Sequence, residues 1–257
     1  MHSSDPASLF SLHDRLAVVT GGGTGLGFAM ASCFIAAGAR VVITGRRLDV
    51  LDRAVSELGN RAHAEQHDVT DLASAQPLVE RIQQRYGSPS ILVNNAGTHV
   101  KKSVEDHTLE DFHSILATHV EGAFAITRAA VPGMKAAGAG SIVFIASMSS
   151  LIGMPGIVAY SAAKAAYLGM VRSLASELGG DNIRVNAIAP GWIQTPMLDK
   201  ALSGDPERKN KILARTPQHR FGSPSDIGWA AVYLCSPAAE FINGVILPVD
   251  GGASIGF

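Results

Sequence analysis

The segment LAVVTGGGTGLG, residues 16–27, joins a short apolar run to a turn of closely spaced glycines. The run LAVVT is typical of a buried β-strand, and the residues after the turn are typical of a helix. Such a turn presents free N–H groups and the positive end of the helix dipole to a phosphate. The spacing Gly21-x3-Gly25-x-Gly27 differs from the GxGxxG of the usual dinucleotide fingerprint, so a simple tight turn remains an alternative.

The rest of the chain alternates in the same way between short β-branched runs and longer helical stretches. Strands are predicted at 16–20, 40–44, 62–67, 91–95, 141–146, 183–189 and 245–249. Helices are predicted at 25–37, 48–58, 71–86, 108–135 and 157–178. Apolar strands joined by helical crossovers indicate a parallel sheet covered on both faces, and right-handed crossovers make it doubly wound. We therefore predict an α/β fold.

Two segments depart from this alternation. Residues 1–12 are predicted to form a flexible N-terminal tail. Residues 13–257 are then predicted to form a single domain without a linker or an internal repeat. The stretch 191–222 contains three prolines and scattered charges and is long for a connection. We predict that it forms a lid over a substrate site.

Composition excludes several classes of protein. The 257 residues are 47% hydrophobic and 17% charged, which indicates a large core, and the net charge of −1 argues against nucleic acid or an anionic membrane as a partner. No stretch has the length of a membrane span, and the N-terminal residues lack the apolar run of a signal peptide. Cys33 and Cys235 have no metal-ligand spacing, so we predict reduced buried thiols, no metal and a cytoplasmic location.

The second predicted strand ends in Thr44-Gly45-Arg46-Arg47. An acidic residue here binds the ribose hydroxyls of NAD, whereas an arginine accommodates the 2′-phosphate of NADP. Because Gly45 leaves the acidic position empty and arginines follow it, the sequence favours NADP(H), with NAD(H) as the alternative. Two solvated arginines at a helix start would also explain the pattern.

Tyr160 and Lys164 are four residues apart in a predicted helix, so they share one face. A cation near a phenol stabilises the phenolate and lowers the tyrosine pKa from its usual value of about 10. The pair is then a candidate general acid or base near neutral pH. By itself, a tyrosine–lysine pair is also compatible with ordinary surface packing.

Taken together, six motifs resemble the short-chain dehydrogenase/reductase family over residues 15–252. They are TGGGTGLG (20–27), NNAG (94–97), Ser147, Tyr160-x3-Lys164, PGWIQT (190–195) and VDGG (249–252). The resemblance implies a single Rossmann-like domain with a seven-stranded parallel sheet, a nicotinamide cofactor, a small-molecule substrate and a homodimer or homotetramer. It also implies hydride transfer, with Tyr160 exchanging the proton, Lys164 lowering the tyrosine pKa and holding the nicotinamide ribose, and Ser147 binding the substrate oxygen.

The resemblance further implies a set of cofactor contacts. The glycine turn and the second strand contribute Gly21, Gly23, Thr24, Gly25, Leu26, Gly27, Arg46 and Arg47. The adenine is bordered by Asp68 and Val69, and the ribose by NNAG, with Asn94, Asn95, Ala96 and Gly97. The carboxamide end is bordered by Pro190, Gly191, Ile193 and Thr195.

One position departs from the family pattern. The family commonly has an asparagine after NNAG in a motif like N-V-x-G, where it supports a water-linked proton path to the lysine; here His119-Val120-Glu121-Gly122 stands in that place. Histidine both donates and accepts hydrogen bonds, so His119 is predicted to be a catalytic member of a modified relay. A weakened activity is the alternative.

Finer motifs resemble gluconate 5-dehydrogenase and its deoxygluconate and uronate relatives. They are FSL (10–12), Lys101-Lys102, ASMSS (146–150), RTPQHRFGSPSDI (215–227) and FINGVILPVDGG (241–252). Lys101 is a candidate partner for a sugar-acid carboxylate, although an exposed lysine at a helix start is equally compatible. Ser149 is a second candidate substrate contact that, with Ser150, competes with Ser147 for its role, and His99 and Gln194 are candidates for sugar hydroxyls. The alternatives are a 3-oxoacyl thioester reductase of the acyl-carrier type and a dinucleotide-binding sensor without turnover.

Overall fold

Seven parallel strands form one sheet in this computed structural model, which describes residues 6–195, 198–199 and 202–256. The strands are β1 (Leu16–Thr20), β2 (Arg40–Gly45), β3 (Ala62–Gln66), β4 (Ile91–Asn94), β5 (Gly140–Ile145), β6 (Ile183–Pro190) and β7 (Ile246–Val249). Their order is β3-β2-β1-β4-β5-β6-β7, so the chain winds outward from β1 in both directions. The predicted doubly wound, single-domain α/β fold is confirmed, and each predicted strand end lies within one residue of the observed one.

Nine α-helices accompany the sheet in the described residues. They are α1 (Pro6–Leu9), α2 (Gly25–Ala36), α3 (Leu48–Leu58), α4 (Ala75–Tyr86), α5 (Leu109–Leu116), α6 (Gly122–Ala137), α7 (Val158–Leu178), α8 (Pro206–Arg215) and α9 (Pro224–Cys235). Helices α2, α3 and α9 pack on one face of the sheet, and α4, α6 and α7 pack on the other. Among the helices that the structure describes, none has the length and apolar character of a membrane span.

The sheet is buried on both sides because the strand residues alternate between two cores. In β1, Ala17 and Val19 pack with α2 and α9, whereas Leu16 and Val18 pack with α4 and α6. All five residues of β1 are buried, which explains why the strand is apolar throughout. The glycine turn that follows β1 is thereby held at the centre of the sheet.

The predicted helical stretch 108–135 is not one regular helix. Helix α5 begins at a capping box formed by Thr108 and Asp111 and ends at Leu116. Residues Ala117–Glu121 form a π-helical turn, in which the N–H of Gly122 bonds the carbonyl oxygen of Ala117. The wider turn lies beside α7, and it contains His119.

No helix is predicted between the sixth and seventh strands, whereas the described part of this stretch contains α8 and α9. Helix α8 lies inside the predicted lid 191–222, and α9 follows it. Ser223, Pro224 and Asp226 begin α9 as a capping box with proline at the first position, a local signal that predicts such a helix. Residues 196–197 and 200–201 of the predicted lid lie outside the described residues.

The N-terminal segment joins the domain earlier than predicted. Residues 1–5 of the predicted tail lie outside the part of the chain that the structure describes. Within the remainder, Pro6–Leu9 form α1, and the ring of Phe10 lies 6.3 Å from that of Tyr233. Leu12 is fully buried and packs in the same core as α2. Its backbone N–H donates to the carbonyl oxygen of Ala37. The packed domain therefore includes Leu12.

Candidate active site

Four of the predicted motifs meet at one edge of the sheet. The glycine turn follows β1, NNAG follows β4, Ser147 comes two residues after β5, and Gly191 follows β6. Because β1, β4, β5 and β6 are neighbours and parallel, their carboxyl ends open onto the same crevice. Ligands of open α/β sheets bind at such a crevice.

The glycine turn is packed so closely that side chains are excluded. A Cβ atom at Gly27 would overlap the carbonyl oxygen of Gly21, and one at Gly21 would lie 2.9 Å from the Cα of Ala96. Gly21 and Gly25 also have φ angles of 64° and 57°, a region that favours glycine. Gly25 faces open space, so the turn leaves room against the backbone of α2.

The N-terminus of α2 has the donors that a phosphate requires. Thr24 is the N-cap residue and its side chain makes no capping hydrogen bond, and no acidic residue lies in the first turn. The first N–H groups of the helix, around Leu26, therefore keep their capacity to bind an anion. With the open space at Gly25, these donors fit the pyrophosphate of a dinucleotide cofactor.

The NNAG segment is attached to the glycine turn by hydrogen bonds. The hydroxyl oxygen of Thr20 accepts from the N–H groups of Asn95 and Ala96, both at 3.0 Å. The side-chain amide of Asn95 donates to the carbonyl oxygens of Thr20 at 2.8 Å and Gly21 at 3.2 Å. Asn94 is buried and donates to the Thr127 hydroxyl at 3.0 Å. The two asparagine side chains therefore hold the loop beside the glycine turn.

The ends of β2 and β3 border a cavity of about 400 Å³. Its lining residues are Arg46, Gln66, His67, Asp68, Asp71, Ser74 and Arg81. Arg46 and Asp68 are thus brought together, whereas Arg47 is the exposed N-cap residue of α3 and does not line this cavity. Burial raises the pKa of Asp68, but the hydrogen bonds that its carboxylate accepts from the N–H and hydroxyl of Thr70, together with the nearby charges of Arg46 and His67, lower it overall. Val69 packs against Gly122 through its backbone.

Ser147 and Tyr160 are in contact at the end of β5. The side chain of Ser147 shares a hydrogen bond with Tyr160, and its oxygen accepts the N–H of Ser149 at 3.1 Å. Ser149 itself is buried, and its hydroxyl has no partner among the described residues. The structure therefore uses the backbone of Ser149 to orient Ser147, which favours Ser147 over Ser149 as the contact to a substrate oxygen.

Lys164 lies beneath Tyr160 and is buried, with 3% of its surface exposed. Its Nζ donates to the carbonyl oxygen of Ile145 at 2.5 Å and lies 5.5 Å from the centroid of the Tyr160 ring. Burial lowers the pKa of Lys164 to about 7. The pKa of Tyr160 is raised by burial, against the effect of its hydrogen bond with Ser147. The sequence predicts a lowered pKa for this tyrosine, and the structure gives the opposite direction, because burial disfavours the phenolate.

His119 contacts the other side of Tyr160. The two rings meet edge to face with centroids 5.5 Å apart, and Nε2 of His119 lies 2.7 Å from the carbonyl oxygen of Thr98. Burial, and next the charge of Lys164, lower the pKa of His119 to about 3, so the ring is neutral. A Cβ at Gly97 would overlap Cε1 of His119, which explains the glycine of NNAG. The structure thus places His119, the residue that departs from the family pattern, next to the Tyr160–Lys164 pair.

The end of β6 and the segment after it contain the four residues predicted to border the carboxamide end of the cofactor. Gly191 lies against Asp250, where a Cβ would come within 2.6 Å of the Asp250 Cα. Ile193 is 7% exposed and packs in the core, so only its backbone is available to a ligand. The hydroxyl of Thr195 accepts the N–H of Leu198 at 3.3 Å, and Pro190 ends the buried strand β6.

The structure separates the two neighbouring lysines. Lys102 forms an ion pair with Asp111 at 2.6 Å, whereas Lys101 has no ion pair with any residue that the structure describes. The side chain of Lys101 lies over Gly156, four residues before Tyr160. His99 is also near the site, with its ring 6.0 Å from that of Tyr160. No group of three or more metal-binding side chains occurs in the described ranges.

Comparison with known proteins identifies the family. A family model described as enoyl-(acyl carrier protein) reductase matches residues 21–254. An NADP-dependent (R)-specific alcohol dehydrogenase of Lentilactobacillus kefiri is 39% identical over 246 residues, which cover 94% of this chain and 97% of that protein. The chain belongs to the short-chain dehydrogenase/reductase family.

Other members of this short-chain dehydrogenase/reductase family are similar over almost the whole chain. A galactitol 2-dehydrogenase (L-tagatose-forming) of Cereibacter sphaeroides is 39% identical over 257 residues, 98% of this chain and 99% of that protein. A crystal structure of a gluconate 5-dehydrogenase from Burkholderia cenocepacia is also similar, and it was determined in complex with NADP and tartrate. The two structures match with a TM-score of 0.93 at 31% sequence identity, over 98% of this chain and 100% of that chain. The protein is accordingly an oxidoreductase that acts on CH–OH groups. Because these relatives differ in substrate, the family does not fix which alcohol is used.

One residue that contacts the site has no counterpart among the motifs. Tyr167 follows Lys164 by three residues, is fully buried, and donates to the carbonyl oxygen of His119 at 2.7 Å. Its helical spacing of seven from Tyr160 places it on the same face of α7, a signal that would have selected it from the sequence.

Proposed function

We propose that the protein interconverts the alcohol and ketone forms of a sugar acid such as gluconate and 5-ketogluconate, with NADP(H) preferred over NAD(H). The observation that carries the reaction type is the contact of Ser147 with Tyr160 beside the buried amine of Lys164. A bound nicotinamide cofactor would supply the hydride chemistry of this alcohol–ketone interconversion. The glycine turn and the N-terminus of α2 would hold its pyrophosphate.

Tyr160 exchanges the proton that accompanies this hydride. In reduction, the phenol gives its proton to the carbonyl oxygen, and in oxidation the phenolate takes it from the alcohol. Ser147 donates a hydrogen bond to the same oxygen, and the ammonium of Lys164 stabilises the phenolate. Replacing Tyr160 with Phe is expected to lower kcat by about 10²–10⁴, whereas Tyr233→Phe, which removes a hydroxyl far from the crevice, leaves it unchanged.

Support for a carboxylate-bearing substrate comes from Lys101. Its ammonium lies near the start of α7 without a described ion-pair partner, and the related gluconate 5-dehydrogenase was crystallised with tartrate, a hydroxydicarboxylate. We expect Lys101→Met to raise the KM for a sugar acid roughly tenfold, because one charge-assisted hydrogen bond is lost. Lys102→Met is the matched control, since Asp111 already neutralises Lys102. Equal effects of the two variants would contradict the assignment.

Support for NADP(H) comes from Arg46, which lines the cavity at the end of β2 beside Asp68. We expect Arg46→Ala to reduce the preference for NADP⁺ over NAD⁺ about 10- to 100-fold, and Arg47→Ala to change it little. Gly45→Asp should shift the preference further toward NAD⁺, because the nearest atom to an added Cβ is Leu51 Cδ2 at 3.5 Å and the site has room for the acid. An unchanged preference in Arg46→Ala would defeat the proposal.

A substrate panel separates the candidate functions. The purified protein is assayed with both cofactors against sugar acids, polyols and acetoacetyl thioesters. The 3-oxoacyl-[acyl-carrier-protein] reductase FabG of Thermotoga maritima, which is 34% identical over 248 residues, supports the thioester reductase as the second candidate. Turnover confined to thioesters would remove the sugar-acid proposal. Binding of NADP(H) without turnover on any substrate would instead support the sensor. Three further predictions remain: the lid at 191–222, the cytoplasmic location, and assembly into a homodimer or homotetramer. A mass of 26.8 kDa by light scattering, which is that of one chain, would refute the predicted assembly.

A further inference from the structure

Tyr167 connects two groups of the candidate active site that are distant in the sequence. Its hydroxyl donates to the carbonyl oxygen of His119 at 2.7 Å, and the centroid of its ring lies 4.9 Å from Nζ of Lys164. The side chain is fully buried and packs on Phe144, with ring centroids 5.0 Å apart. A buried phenol is costly unless its hydroxyl is hydrogen-bonded, and the carbonyl of His119 is the partner that the structure provides.

The hydroxyl of Tyr167 bonds to an irregular segment of backbone. His119 lies in the π-helical turn Ala117–Glu121, where the N–H of Gly122 bonds the carbonyl of Ala117 five residues earlier. In a π-helical turn the hydrogen bonds span five residues instead of four, so a carbonyl oxygen loses its usual N–H donor four residues ahead. Such turns are frequent at functional sites. Tyr167 thus holds the backbone of the turn from outside the helix.

The ring of His119 is held at its other end. Nε2 lies 2.7 Å from the carbonyl oxygen of Thr98 and 3.2 Å from its backbone nitrogen, so both backbone groups of Thr98 contact this ring nitrogen. Nδ1 is buried without a hydrogen-bond partner in the described part of the chain. Tyr167 and Thr98 together fix the His119 ring in the cluster that contains Tyr160 and Lys164.

The ring of Tyr167 acts on the amine of Lys164. Two aromatic rings, Tyr160 at 5.5 Å and Tyr167 at 4.9 Å, lie within cation–π distance of Nζ. The other titratable neighbours are His119, which is neutral, and the more exposed His99, which has a lowered pKa because of burial and the charge of Lys101. No described carboxylate forms an ion pair with the ammonium, so its stabilising contacts are the rings of Tyr160 and Tyr167 and the carbonyl of Ile145.

We propose that Tyr167 is a positioning residue of the reaction, whose ring stabilises the charged form of Lys164 and whose hydroxyl fixes His119 beside Tyr160. The catalytic consequence rests on the proposed function, whereas the effect on the Lys164 amine does not require turnover. Tyr167→Phe removes only the hydroxyl, and Tyr167→Leu removes the hydroxyl and the ring. Val171→Ala is the matched control, since Val171 is buried on the same helix one turn further on.

The first readout is the titration of the Lys164 amine, which is monitored by NMR in protein labelled with ¹³C at the lysine Cε atoms. The signal of Lys164 is assigned by its loss in Lys164→Arg. We expect Tyr167→Leu to lower the midpoint by about one pH unit, because loss of the ring removes an attraction felt only by the ammonium. Tyr167→Phe and Val171→Ala should leave the midpoint unchanged. An unchanged midpoint in Tyr167→Leu would overturn the proposal for the ring. Tyr167→Met replaces this variant if the leucine variant does not fold.

The second readout is the split between kcat and KM on the best substrate of the panel. We expect Tyr167→Phe to lower kcat about tenfold with an unchanged KM, since the hydroxyl supports His119 and does not reach the substrate. In Tyr167→Leu the alkaline limb of the kcat profile should also move to lower pH, because the amine loses its proton earlier. An unchanged kcat in Tyr167→Phe would overturn the proposal for the hydroxyl. Lack of turnover in the wild type would refute the proposed function and leave the titration as the test.

Discussion

Replacing Lys164 with methionine should stabilise the folded protein while it abolishes turnover. The side chain is almost completely buried, and its contacts are a carbonyl oxygen and two aromatic rings, with no carboxylate ion pair in the described residues. A charge in such surroundings is costly, which is why burial lowers the pKa of this amine from 10.5 to about 7. The reaction requires the ammonium, so the active site retains a group that opposes folding.

The size of the effect follows from the pKa difference between the unfolded and folded states. A shift from 10.5 to about 7, at roughly 1.36 kcal/mol for each pH unit, makes the charged side chain cost about 5 kcal/mol below pH 7. Methionine fills the space but leaves the carbonyl of Ile145 unpaired, which costs about 1–3 kcal/mol. The variant should therefore be more stable than the wild type by about 2–4 kcal/mol at pH 6.

The advantage should disappear as the pH rises. Between pH 7 and 10.5 the unfolded state binds more protons than the folded state, so the free energy of unfolding of the wild type increases with pH. By pH 9 the wild type should recover about 3 kcal/mol of the penalty. The methionine variant lacks this group, so its stability changes with pH only through the groups that both proteins share.

Urea unfolding followed by circular dichroism at pH 6 and pH 9, without cofactor, measures the difference. Lys211→Met is the control, because this lysine is exposed on α8 and its removal should change stability by less than about 0.5 kcal/mol at either pH. If Lys164→Met and the wild type keep the same stability difference at both pH values, the amine is not held in a low-dielectric environment, and the reasoning above is refuted.

Three further substitutions test the surroundings of the site. His119→Asn should lower kcat about tenfold, because the shorter amide does not keep the 2.7 Å contact to Thr98, and a rise in kcat would show that histidine is an imperfect substitute. Gly97→Ala should cost about 1–3 kcal/mol of stability, since its Cβ would overlap His119, and the second change His119→Ser should restore most of it in urea unfolding. Additive effects would contradict this overlap. Thr108→Ala should reduce the free energy of unfolding by about 1 kcal/mol through loss of the α5 cap, with kcat unchanged.

The strands, most helices and the order of the motifs could be predicted from the sequence. Buried parallel strands such as β1 and β5 are apolar throughout, and glycines mark their turns, so these signals are contained in short windows. Helix α9 was missed even though its capping box is equally local, which is an error of interpretation rather than a limit of the sequence. The π-helical turn at His119 has no such local signal, because it depends on packing against α7.

The sequence by itself determined which chemical groups are present and that parallel strands bring them to one edge. Only the tertiary structure decided their partners. Lys164 donates a hydrogen bond to the carbonyl oxygen of Ile145, and Tyr167 donates one to that of His119, 48 positions away. Lys102, and not Lys101, forms an ion pair with Asp111. It also decided that Arg46, and not Arg47, lines the cavity beside Asp68. The physical reason is that hydrogen bonding, burial and pKa depend on distances of a few ångströms between residues far apart in the chain, and local periodicity carries no information on those distances.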